Sequence, residues 1–357
     1  MLMRSQTFRR LGLALPLAAL INISSAVIAF AHVKWFCAFN VAGQPRSVEN
    51  VLCPDFEILV AFSLVLLIFG NLLEETRIGQ ALLRGLDFVT APLNNNSDVL
   101  IRACCGFFLV ALWTLGGIIL TPELTTKLPW VPWLQLAMAA CLIWRQTLIF
   151  TSLGIVFLFA LAVKTYGVFH LLDYPVFLGV ATYLGLSCFG RNLFGLRPID
   201  VLRGFAAITL MWASIEKWAY PEWSFVLFLT HPELAMGFSQ EFFMRAAGAV
   251  EFALSFAILL SPLVRRTAAL VLLGMFVSAI GPFGKVDAIG HSVIIGVLLA
   301  IIADNARGGS LLKLATDSLS QIGQGAMRIS VGYAAALATF IALYYGLHSL
   351  IFSIPAA

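Results

Sequence analysis

Apolar positions run almost unbroken along this chain, interrupted by short loops of Pro, Gly and charge. Runs of about 20 apolar residues cross the roughly 30 Å hydrocarbon core of a bilayer as helices. Eleven candidate spans follow, near 11–31, 56–73, 99–120, 130–145, 147–164, 172–190, 203–220, 242–262, 267–283, 288–303 and 331–353. The runs are continuous, whereas barrel strands alternate over about ten residues, so a β-barrel is excluded.

Composition sharpens this pattern into a class. Hydrophobic residues make up 61% of the chain, charged residues only 11%, and the mean hydropathy is +0.95. The expected fold is an all-α polytopic membrane protein of about eleven transmembrane helices, with the lipid bilayer as its first partner. The net charge of +4 is too small and too scattered for nucleic-acid binding. Its distribution instead gives a topology. With the N-terminus inside, 15 of the 22 Lys and Arg residues fall on the inner side; the other seven are Lys34, Arg46, Lys127, Lys164, Lys217, Arg245 and Lys285. The positive-inside rule therefore predicts N-in and C-out.

The first span ends in Ala29, Phe30 and Ala31, a small-x-small pattern, so an uncleaved first helix and a signal peptide both fit. Four of the six cysteines, Cys104, Cys105, Cys141 and Cys188, sit in predicted spans and read as packing. Cys37 and Cys53 share the first outer loop, where a structural disulfide and free or metal-binding thiols are the alternatives. No C-x-x-C occurs, which counts against a thiol-exchange enzyme.

Two segments open alike: Asp98, Val99, Leu100, Ile101, Arg102, and later Asp200, Val201, Leu202, Arg203. Each begins a predicted four-helix block, 98–190 and 200–303. Each has Pro after its first helix (Pro122, Pro221), Arg between its second and third (Arg145; Arg265 and Arg266) and Gly in its fourth (Gly179, Gly296). This would be a parallel repeat about the membrane normal, the first copy degenerate. Before the blocks lies a hairpin, 1–97, carrying the Cys37/Cys53 loop; after them, 304–357 supplies a polar cytoplasmic linker and the last span.

The chemistry is carried by charges inside these apolar helices, where each costs about 2.5–3.5 kcal/mol on insertion scales. Arg203 is expected to anchor at the inner surface, about 21 Å below Lys217 on one helix. Glu216 and Lys217 are adjacent, so only one squarely faces the bundle centre. Glu251 lies deepest and pairs with Lys217 or acts in a site. Arg245, six residues from Glu251, points about 120° away from it. Asp287 and His291 share a helix face. Block one has no acid at the place of Glu251 and no His at that of His291, so any site is expected in the second block. Glu216, Arg245 and Trp218 are its candidate ligand-binding neighbours. One His, one Glu and one Asp without close spacing specify no metal.

The second block resembles the DoxX family of four-helix membrane domains. The resemblance rests on Leu202 and Arg203, Glu216-Lys217-Trp218 followed by Pro221, Gly248 and Glu251, Arg265-Arg266 with Ala268 and Ala269, and His291. It covers about 100 of the 357 residues. It implies a bacterial inner-membrane protein with a quinone-facing role, as in the membrane subunit of thiosulfate:quinone oxidoreductase or of redox-stress complexes, working with a soluble or membrane redox partner subunit. On that reading Lys217 and Glu251 orient or protonate a head group, and His291 with Asp287 passes a proton. The chain shows no intrinsic cofactor motif; a membrane quinone is the implied one. The alternatives are a small-solute or proton permease lined by the same residues, and a non-catalytic assembly or anchoring protein braced by the ion pairs.

Overall fold

The computed structural model of the chain describes residues 33–307 and 321–352. The span near 11–31, the pattern ending at Ala31 and most of the polar linker lie outside the described residues. Ten helices organise the rest: α1 (Pro54–Glu75), α2 (Arg77–Asn95), α3 (Ser97–Leu115), α4 (Val131–Cys141), α5 (Leu148–Tyr166), α6 (Pro175–Phe189), α7 (Pro198–Ala219), α8 (Gln240–Ala257), α9 (Pro262–Ala303) and α10 (Gln321–Phe352). Shorter helical turns fill the loops, and no β-strand occurs among the described residues. Six helices among them are long and apolar enough to cross a membrane: α1, α3, α5 with the turn before it, α7, α9 and α10 from Gly323. The architecture is that of a helical membrane protein.

Local signals fix many ends. Proline at the first helical position starts α1, α6, α7 and α9, where its missing N–H leaves no bond unmade. Gly190, in the left-handed region at φ 62°, closes α6.

The structure departs from the pattern in three places. α4 has only 11 residues, about 16 Å of helix, too short to cross alone; its run is cut at Leu142. The expected spans 267–283 and 288–303 hold as two helices joined end to end within α9, where the chain breaks at Gly284, whose φ of 71° and ψ of −152° suit only glycine. α10 starts ten residues before 331. The segment between α1 and the first four-helix block, where no span was expected, is the amphipathic helix α2: Gly79, Leu83 and Thr90 are buried, while Ile78, Phe88 and Val89 are exposed. Asp87 ties α2 to Arg266 of α9 at 2.5 Å.

The two predicted blocks do not stand apart. α6 packs along α7 and α3 along α9, while α3 with α4, α5 with α6 and α7 with α8 pack within each block. At the Asp304 end of the bundle Arg197 bonds Asp200 and Asp304, and Arg265 bonds Asp304 at 3.0 Å. Arg203 belongs to this buried cluster, 1% exposed and 3.2 Å from Asp200. The expectation of a surface anchor is therefore corrected: a carboxylate one turn earlier on α7, and the packing of α9 beside it, keep the guanidinium inside.

Cys37 and Cys53 are free thiols. They sit on different apolar clusters, Cys37 on the small one that holds Phe228 and Phe243, Cys53 on the main core. Burial raises the Cys37 thiol above its ordinary value.

Candidate functional site

The deepest polar pair forms as helix geometry allows. Lys217, in the last turn of α7, and Glu251, in the middle of α8, meet at 2.5 Å, both largely buried. Glu216 turns the other way, towards Lys34 of the segment before α1, at 2.6 Å. Asp173, just ahead of α6, bonds the same ammonium, and the rings of Phe39 and Trp223 lie 5.4 and 5.5 Å from it. Burial alone would lower the Lys34 ammonium, but Asp173 and Glu216 outweigh it and hold it protonated well above its ordinary range. A lysine between two carboxylates and two aromatic faces is a closed cation cage.

His291 lies between two rings, with Trp35 at 4.5 Å and Phe276 at 4.7 Å between centroids. The indole fits because Gly290 has no side chain; a Cβ there would sit 2.2 Å from the Trp35 ring. Asp287, one turn earlier on α9, places Oδ1 3.0 Å from His291 Nδ1. Trp218 uses a second small residue in the same way, lying over Gly248, and donates its indole N–H to the Arg245 carbonyl at 3.1 Å.

These groups surround a cavity of about 50 Å³ lined by Asp173, Tyr174, Lys217, Glu251 and His291, with Trp35, Phe177 and Phe276 as apolar wall. The space suits roughly four waters or the polar head of a small ligand. Three of the lining side chains, all buried, carry atoms without a hydrogen-bond partner: Thr121 Oγ1, Asp173 Oδ1 and His291 Nε2. Behind Asp173, Tyr174 donates to Glu123, which also lies 3.6 Å from His170.

Lys217, Glu251 and His291 thus line one cavity, with Asp287 beside His291 but outside the lining. Glu216 joins a different cation, and Arg245 faces away, 3.5 Å from Asp55 and 3.8 Å from Glu241. The expectation that block two alone holds the polar set is overturned: Thr121, Glu123, His170, Asp173 and Tyr174 come from block one, because α6 lies along α7 and brings its N-terminal loop against Glu216. Lys34 and Trp35 come from the segment before α1. One signal was visible in the sequence: Pro-Glu follows the first helix of each block, Pro122-Glu123 and Pro221-Glu222, yet only Glu123 is buried. Among the described residues no group of three or more His, Cys, Asp or Glu side chains is arranged to hold a metal ion.

The chain matches no protein-family model, no curated protein and no solved structure.

Proposed function

We propose that this chain is a DoxX-type protein of the bacterial cytoplasmic membrane, crossing it about eleven times with its N-terminus inside and C-terminus outside, and acting as the membrane subunit of a quinone-linked oxidoreductase. One observation carries the reading. A cavity with aromatic walls presents an imidazole backed by a carboxylate, His291 with Asp287, together with the Lys217–Glu251 pair. That set suits a planar carbonyl head group, Lys217 donating to an oxygen and His291 exchanging its proton. Electrons would come from a partner subunit. The test is binding of a short-tailed ubiquinone analogue to the purified full chain, read by quenching of tryptophan fluorescence. Saturable quenching that is lost in Lys217→Met and His291→Ala, with both variants still monodisperse, supports the reading; absence of saturable quenching in the wild type removes it.

A second reading, a small-solute or proton permease, is favoured by the contribution of both blocks to the cavity lining. It requires flux across proteoliposomes, which a redox subunit does not.

A further inference from the structure

Three cavities meet at one side chain. Lys217 lines the central cavity, a second of about 10 Å³ beside Arg46, Trp218 and Arg245, and a third of about 20 Å³ beside Glu216 and Tyr220. A buried water needs about 10–15 Å³ of such space and two to four polar partners. Each cavity meets both conditions. The second has the guanidinium groups of Arg46 and Arg245, whose side chains are 26% and 24% exposed and so reach solvent. The third has the Glu216 carboxylate. The central one has the open atoms of Thr121, Asp173 and His291, in side chains more than nine-tenths buried. An ammonium has three N–H donors; Lys217 is ion-paired to Glu251 and lines all three cavities, so donors beyond that pair are available to water in them.

We infer that the three cavities form a file of water sites, joined at the Lys217 ammonium, that connects solvent around Arg46 and Arg245 with the central cavity. A proton given up or taken at His291 or Asp173 then reaches solvent through water and the Lys217–Glu251 pair, with Glu216 and Lys34 flanking the junction and Asp287 behind the imidazole. Water-sized volumes pass protons and exclude larger solutes, so the inlet supplies the cavity without opening it. This holds whether or not the occupant is a quinone.

The test is hydroxyl-radical footprinting of the full chain in lipid nanodiscs, with no quinone present and with rapid mixing into ¹⁸O-labelled water. His291 and Trp218 are buried to the same degree as Trp212, and Phe252 is buried more deeply; neither Trp212 nor Phe252 lines any of the three cavities. The file predicts oxidation of His291 and Trp218, with ¹⁸O incorporated, and protection of Trp212 and Phe252. Ala213 lines both the central and the third cavity; Ala213→Leu, which adds an isopropyl group there, should abolish modification of His291 and leave that of Trp218. Equal protection of His291 and Trp212 in the wild type, or modification of His291 without ¹⁸O, overturns the inference. So does an Ala213→Leu protein in which His291 is still labelled.

Discussion

Cys104 of α3 and Gly296 of α9 approach so closely that a Cβ on the glycine would lie 2.6 Å from the cysteine Cβ. Gly179 of α6 and Phe205 of α7 repeat the relationship at 2.5 Å. Cys104 stands two residues after Arg102, and Phe205 two after Arg203, so the same places in the two blocks meet the glycine of the other block's fourth helix. Gly296→Ala and Gly179→Ala should each destabilise by about 1–3 kcal/mol through overpacking. Gly204→Ala, with no atom within 4 Å of the new Cβ, should be neutral or gain up to about 1 kcal/mol of helix propensity. Melting temperatures of the three variants in one detergent decide it.

The Lys217–Glu251 pair separates a brace from a site. Glu251→Gln and Lys217→Met each leave one buried charge alone, which costs about 3–5 kcal/mol where the pair only holds helices together, and the double variant should then recover abundance. The proposed function predicts that the double variant regains abundance without regaining quinone binding. Immunoblots of membranes beside the fluorescence titration read both quantities.

Removing Lys34 should be costlier than its place in a loop suggests. Lys34→Met leaves Asp173 and Glu216 facing each other without a cation, and a loss of about 3–5 kcal/mol is expected for a broken buried pair. Adding Glu216→Gln to Lys34→Met should recover part of the loss. Lys34→Arg, which keeps the charge, should fold. Size-exclusion profiles after graded heating report the order.

Acid should loosen the Asp304 end of the bundle. Burial would raise the Asp304 carboxyl, but hydrogen bonds from Arg197 and the charge of Arg265 outweigh it and hold the carboxyl below its ordinary value. A carboxylate depressed in the folded state contributes stability at pH above its unfolded value, near 3.9, and loses it as pH falls through the folded value. Asp304→Asn should lower the melting temperature near pH 7 and shrink the difference from wild type as pH drops towards about 3. A constant gap across that range would show that Asp304 acts only through shape.

Much of the helical layout was legible because apolar runs of membrane length have few other outcomes, and the starts of α1, α6, α7 and α9 carry prolines that mark them. The helix-periodic site members were legible too: Asp287 with His291 needs only i,i+4 spacing, and Lys217 with Glu251 only matching depth. What stayed hidden depends on which loop folds over which helix. Lys34, Trp35, Glu123, His170 and Asp173 lie in short turns with no period to read, and their meeting is set by α6 against α7. Arg203 misled because a cation near a helix end is normally an anchor; Asp200 and Asp304 were the clue, three residues away in one case and at the far end of α9 in the other. α2 was missed because its apolar face is amphipathic rather than continuous.

The cage around Lys34 also sets an order of assembly. Asp173 lies 139 residues after Lys34, and at about 5–20 residues per second the ribosome needs roughly 7–28 s to make that stretch. Until α6 and α7 are in place the lysine has no buried counter-charge, so the segment carrying it, with Trp35 beside it, must stay in water or at the bilayer surface while most of the bundle is made. The earliest described residues are therefore among the last to dock, and a chain arrested before α7 would leave Lys34 and Trp35 exposed to a protease that cannot reach them in the finished protein.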